Sequence, residues 1–160
     1  MNIYLIRHGE AEKAVIGKKD IDRELTSAGK IKMKDTVASW KNIIDKLDYI
    51  YSSPLVRAVQ TAEVVAEEFG ISKKIITDKK LSPGCKTDNI IEIANGAGEE
   101  DIAFVGHQPD FSEILSELIS NKGAYIDVKK GAIAKVVFGN KAHAGKGTLE
   151  FLIPPLAFNK

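Results

Sequence analysis

The chain has a single cysteine, Cys85, so it can form no internal disulfide. A lone thiol suits a reducing compartment. It also lacks an excess of either charge, since 23 basic and 22 acidic residues leave a net +1. So even a balance gives no electrostatic footprint for nucleic acid and no basic face for a membrane, and neither is expected as a partner. Long hydrophobic runs are missing: none approaches the roughly 20 apolar residues of a membrane-spanning helix. The apolar start Ile3-Tyr4-Leu5-Ile6 meets Arg7 too soon, and has no basic residue before it, to read as a secretory leader. A cytoplasmic protein is the default expectation. No Gly/Pro-rich tract, repeat or linker divides the chain, and no Cys/His cluster has metal-ligand spacing. Nothing asks for a cofactor or metal. What remains is an ordinary globular composition, 44% hydrophobic and 28% charged, in 160 residues. That is enough for one domain, residues 1–160, with a real core.

Strand-like and helix-like segments alternate. Residues 2–6 form a short apolar run that reads as a buried strand, followed by a polar loop over 9–24. Thr26 can cap a helix to about Asp45, with Ile31, Val37, Ala38 and Ile44 inward. Residues 48–52 are a second strand. The next helix carries Leu55, Val59, Ala62, Ala66 and Phe69 on one face, with Ser53 as cap, Pro54 in the first position and Gly70 at the exit. A strand at 75–77, a helix at 87–97 closed by Gly96 and Gly98, and a strand at 102–106 follow. A helix starting at about Pro109 carries Phe111, Ile114, Leu115 and Leu118. Strands at 132–138 and 148–153 come last, before Pro154 and Pro155. The pattern predicts an α/β fold: a single three-layer domain with a mostly parallel central sheet and helices on both faces. The last two strands have no helix between them, which predicts an antiparallel edge.

Ligands of open α/β sheets bind beyond the carboxyl ends of strands. Three junctions there carry chemistry. Arg7-His8-Gly9 follows the first strand, and Gly9 would let the backbone turn and approach a ligand. Ser53-Pro54-Leu55-Val56-Arg57 follows the second and puts Arg57 in the first turn of its helix, where free N–H groups favour an anion. Gly106-His107-Gln108-Pro109 precedes another helix start. Two guanidiniums suit phosphate oxygens, and two histidines suit nucleophilic attack or proton transfer. Together they can manage phosphoryl transfer, which asks mainly for positioning and charge compensation.

These residues resemble the histidine phosphatase superfamily, the phosphoglycerate-mutase-like fold. Its Arg-His-Gly signature stands at Arg7-His8-Gly9, its second arginine in Ser53-Pro54-Leu55-Val56-Arg57-Ala58 with Gln60-Thr61-Ala62 following, and its second histidine at Gly106-His107. Arg-His-Gly alone is a weak signal; the three motifs in this order span most of the chain and are specific. Further residues are similar to the SixA branch of phosphohistidine phosphatases: Glu10-Ala11, Asp20-Ile21-Asp22-Arg23-Glu24-Leu25-Thr26 with Gly29, and Leu81-Ser82-Pro83-Gly84. The resemblance implies a metal-independent phosphatase without a cofactor. Its substrate would be a phosphohistidine-bearing protein, with phosphate or a similar anion in the site. Neutral His8 would attack phosphorus in line, and Arg7, Arg57 and His107 would hold the oxygens while a phospho-His8 intermediate forms.

Only residues 81–100 separate the third strand from the strand leading to His107, and one helix fills most of that span. That leaves little material for a lid, so an open, shallow site is expected. An imidazole protonated on its other nitrogen leaves as a neutral ring, so a missing dedicated acid costs less for phosphohistidine than for a sugar phosphate. Glu10, Asp20 and Asp22 are candidate proton donors, or simply solvated loop residues. Arg23 either guides substrate or pairs with a nearby carboxylate. His143 reads as a loop residue, Cys85 as a small residue without chemistry, and Ser82-Pro83-Gly84 as a turn. Gly145-Lys146-Gly147-Thr148 is not a P-loop: Asn140 replaces the required glycine, Gly147 follows the lysine, and no helix follows. Two other functions compete: a general small-molecule phosphomonoesterase or mutase, and a phosphate-binding module without turnover.

Overall fold

Alternation along the first strand sets the architecture. The computed structural model describes residues 1–155. In it β1 (Asn2–Arg7) turns Ile3 and Leu5 to one face and Tyr4 and Ile6 to the other, all buried. A strand buried on both faces belongs inside a sheet that is covered twice. The other strands are β2 (Tyr49–Ser52), β3 (Ile75–Thr77), β4 (Asp101–Gly106), β5 (Ile133–Val137) and β6 (Thr148–Ile153). Their order is β3-β2-β4-β1-β5-β6. The pairs β2–β3, β2–β4 and β1–β4 are parallel, while β5 runs antiparallel to both β1 and β6. The mostly parallel sheet and its antiparallel edge are as expected.

Helices α1 (Ser27–Trp40) and α2 (Val56–Phe69) cover one face. There Met33, Val37, Trp40, Ala58, Ala62 and Val65 pack with Tyr4, Ile6, Ala103 and Val105. Helices α3 (Thr87–Ala97) and α4 (Asp110–Ile119) cover the other. There Ile90, Phe111, Ile114, Leu115 and Leu118 meet Ile3, Leu5, Ile102 and Phe104. Each fully buried large apolar side chain contributes about 1.5–3 kcal/mol. No helix among the described residues is long and apolar enough to cross a membrane.

Several expected details are corrected. Thr26 does cap α1, accepting from the Gly29 N–H at 2.9 Å, but the helix ends at Trp40 rather than near Asp45. Ile31 is 65% exposed and Ala38 also faces outward; Gly29, Met33, Thr36, Val37 and Trp40 face inward, and Ile44 is buried in the turn beyond. The reason lies at Gly29. A Cβ there would stand 2.2 Å from the Glu10 carbonyl oxygen, so the helix is rotated to seat its glycine against the loop. In α2 the inward stripe is Ala58, Ala62, Val65 and Ala66, leaving Val59 half-buried. Small residues let this helix approach the sheet closely. Ser53 and Pro54 lie before α2, whose cap position is Leu55. Gly70 ends α2 with φ 69°, and Gly98 ends α3 with φ 72°, while Gly96 stays inside α3. The loop over 9–24 holds a 3-10 turn at Asp20–Asp22 and a bridge between Ala11 and Leu25.

Candidate active site

The ladder between β1 and β4 pairs Arg7 with Gly106. His8 and His107 are therefore the next residues off two adjacent parallel strands. Their ring centroids lie 5.2 Å apart with planes at 57°. Arg57, in the first turn of α2, reaches the same spot from the end of β2, with Nε 3.3 Å from His8 Nε2. These three expected site residues meet, and all are buried: 8% exposed for His8, 6% for Arg57 and 3% for His107. Arg7 sits beside them half-buried, its guanidinium tied to the Val128 carbonyl at 2.9 Å.

Backbone and hydroxyl contacts hold the junctions together. The His8 N–H donates to the Gly106 carbonyl at 3.1 Å. The Gly9 N–H donates to Thr61 Oγ1 at 3.1 Å, and that hydroxyl donates to the Arg57 carbonyl at 2.7 Å. The Leu25 N–H donates to Gln60 Oε1 at 2.8 Å, fastening the end of the long loop to α2. A Cβ at Gly9 would lie 2.6 Å from Met33 Cγ, so glycine here admits the close approach of α1. Asp110 accepts from the N–H groups of Gly84 at 2.7 Å and Cys85 at 3.2 Å. This pins the Ser82-Pro83-Gly84 turn to the start of α4, two residues past Gln108.

The hydrogen bonds fix the proton positions. His8 Nδ1 lies 2.7 Å from the Gly9 carbonyl oxygen, which can only accept. Nδ1 therefore carries the proton and Nε2 presents a lone pair. Burial pushes His8 down to about 3, and the charges of His107, Arg57 and Arg7 add to this, so its ring is neutral near pH 7. His107 Nε2 lies 2.7 Å from Ser53 Oγ. Ser53 is fully buried, accepts from the Leu55 N–H at 3.3 Å, and has no other acceptor for its hydroxyl proton among the described residues, so that proton goes to Nε2. The His107 proton then sits on Nδ1, a buried atom with no partner among the described residues; Arg7 Nε is another. Burial first, and Arg57 second, push His107 down to about 4.

The connection between β3 and β4 adds no lid, as expected, but a different segment reaches the site. The loop between Ala11 and Leu25 folds over Arg57. The guanidinium donates to the Asp20 carbonyl at 2.7 Å and to Asp20 Oδ2 at 2.9 Å. Asp20 Oδ1 accepts from Arg23 at 2.6 Å, and Arg23 also donates to the Glu12 carbonyl at 2.8 and 2.6 Å. Arg23 thus pairs with a carboxylate at the site. The hydrogen bond from Arg23, with help from Arg57, holds the Asp20 carboxyl below its usual range. Glu10 and Asp22, the other candidate proton donors, are exposed, as is His143. Cys85 is buried away from solvent, and burial pushes its thiol up to about 12.

Sequence reasoning missed Ser53, Thr61, Gln60 and Asp110 as parts of this framework. Thr61 and Gln60 were visible only as the continuation of the Arg57 motif. Ser53 read as a helix cap, and Asp110 gave no signal.

Residues 3–82 match the model of the histidine phosphatase superfamily (branch 1). A phosphohistidine phosphatase SixA homologue of Haemophilus influenzae is 30% identical over 154 residues, covering 89% of this chain and 92% of that protein. A 2,3-bisphosphoglycerate-dependent phosphoglycerate mutase of Thermoplasma acidophilum is 34% identical over 80 residues, 48% of this chain and 38% of that protein. The structure of the protein histidine phosphatase SixA complexed with tungstate superimposes with a TM-score of 0.84 at 22% identity, covering 97% of both chains. A six-stranded mixed sheet with His8, Arg57 and His107 gathered at its carboxyl edge, and a family match through half of the chain, lead to one assignment: this chain belongs to the histidine phosphatase superfamily.

Proposed function

We propose that this phosphatase removes phosphoryl groups from histidine side chains of proteins, through a phospho-His8 intermediate. One observation carries the reading: His8 is a buried neutral imidazole whose Nδ1 proton is locked on the Gly9 carbonyl, so the Nε2 lone pair, which takes the Arg57 Nε–H in the resting site, is the nucleophile. In the proposed path the Nε2 lone pair attacks phosphorus and the P–N bond of the substrate breaks. The bonding pair stays with the substrate imidazole, which already carries a proton on its other nitrogen and leaves neutral. Arg7, Arg57 and the Nδ1–H of His107 hold the phosphoryl oxygens. Water then attacks phospho-His8, the second P–N bond breaks, and inorganic phosphate leaves with His8 neutral again. Arg23 lies at the rim, where it can touch the incoming group.

Two features support phosphohistidine over a phosphoester. The connection between β3 and β4 holds only a 3-10 turn (Lys79–Leu81) and α3, so a protein side chain can approach. An alkoxide leaving group needs a proton donor, yet Asp20, the carboxyl at the site, is held as a carboxylate by Arg23 and Arg57. The similarity to a SixA homologue, over 89% of this chain, agrees with this, whereas the mutase match is confined to about half of the chain. A cytoplasmic location goes with the reading, supported by the single cysteine.

The test uses purified protein with chelator, offered a histidine-phosphorylated protein, phosphoserine peptides and small sugar phosphates. Phosphate release is expected from phosphohistidine alone, falling by at least about 10³-fold in His8→Ala. Faster release from small esters would transfer the protein to the general phosphatase reading. Bound phosphate with no release from any substrate would leave only a binding module.

A further inference from the structure

All three nitrogens of the Arg57 guanidinium are occupied. Nε faces the His8 lone pair at 3.3 Å, and the other two take the carbonyl and carboxylate of one residue, Asp20, at 2.7 and 2.9 Å. The second Asp20 carboxylate oxygen takes Arg23 at 2.6 Å. A carboxylate held between two guanidiniums offers them paired anionic oxygens, as a phosphoryl group would. We propose that Asp20 is a built-in competitor of the phosphoryl group, closing the resting site by occupying the Arg57 fork that the substrate must take over.

The inference rests on the reading that Arg57 binds phosphoryl oxygens, and it adds a residue that sets how readily they bind. Displacing Asp20 frees the fork of Arg57. It also lets that guanidinium turn from the His8 lone pair to the incoming oxygens, so opening and arming the nucleophile become one event. The segment is built to lift. Its 3-10 turn buries no residue, and residues 13–22 are all exposed, so few apolar contacts oppose its movement. Only the fraction of molecules with Asp20 displaced can bind, and apparent affinity is reduced by that fraction.

The experiment is titration calorimetry with inorganic phosphate on the full chain, its Asp20→Asn variant and its Asp22→Asn variant. Asp22 lies on the same 3-10 turn and carries the same charge without touching Arg57, so it controls for bulk electrostatics. Asp20→Asn is expected to bind phosphate at least about five-fold tighter, and Asp22→Asn to stay within about two-fold of the parent. Equal gains in both variants, or no gain in Asp20→Asn, would overturn the proposal. Hydrogen exchange on the unaltered protein gives an independent reading. The Arg23 and Asp22 amides, bonded to the Asp20 and Lys19 carbonyls, should exchange faster when phosphate is bound, and slowed or unchanged exchange would count against a displaced loop. Failure of the phosphatase reading looks different: phosphohistidine is not hydrolysed, whatever Asp20 does to phosphate affinity.

Discussion

The hydroxyl of Thr61 accepts the backbone N–H of Gly9 at 3.1 Å and passes its own proton to the Arg57 carbonyl at 2.7 Å. One fully buried oxygen thereby sets the turn after His8 against the first turn of α2. Thr61→Val keeps the shape and deletes that oxygen, stranding the Gly9 N–H away from water. A loss of about 1–3 kcal/mol in urea unfolding is expected, with turnover down about ten-fold as the His8–Arg57 geometry loosens. Thr61→Ser should restore most of both. A valine variant as active as the parent would show that the turn holds itself.

Ser53 is expected to act through His107. Its proton on Nε2 keeps the His107 proton on Nδ1, so Ser53→Ala frees the ring to change tautomer and to tilt. Turnover should drop about 10- to 100-fold, and Ser53→Thr should recover it. The decisive readout is the ¹⁵N spectrum of His107, which should move from a single Nδ1–H form to a mixture. An unchanged spectrum with lower activity would assign the loss to packing instead.

Acid should weaken the fold in a defined window. His8 and His107 have folded-state values of about 3 and 4 against an ordinary 6.5. Below about 6.5 the unfolded chain takes up protons that the folded protein refuses, so unfolding gains free energy as pH falls. The histidines thus cost nothing above about pH 7, and their destabilising effect grows down to about pH 4 and 3. Calorimetry from pH 8 to 4 should give a falling Tm, with a shallower fall in His8→Asn. The kcat/KM profile, corrected for substrate ionisation, should show no loss from His8 protonation down to pH 5. Identical Tm slopes in parent and variant would contradict this burial effect.

Much of the plan was readable where local pattern and tertiary demand agree. Both demands meet in β1, in the apolar stripe of α4 and at the Gly70 exit. They part in α1. Ile31 invites an inward reading, but the face is chosen by Gly29 against the Glu10 carbonyl, a contact across 19 residues of chain that periodicity does not carry. Ser53 divided the same way: cap chemistry is local, whereas its partner His107 is 54 residues distant. The sequence could place His8, Arg57 and His107 at strand ends. It marked Asp20 only as a nearby acid, because its hold on Arg57 depends on how a loop without periodicity folds.

The strand order has a consequence for how the molecule comes into being. β1 emerges first in synthesis, yet its two neighbours are β4 and β5, which begin at Asp101 and Ile133. The first strand, carrying the nucleophile on its end, must wait until residues 8–132 and β5 itself have followed before both of its edges are satisfied. Until then it is an apolar segment with open hydrogen-bonding edges, the kind of surface that invites aggregation or a chaperone. Residues 3–82, which carry Arg7, His8, Arg23 and Arg57, contain neither neighbour. The chemistry is written mostly in the first half of the chain, but it can be assembled only by the second.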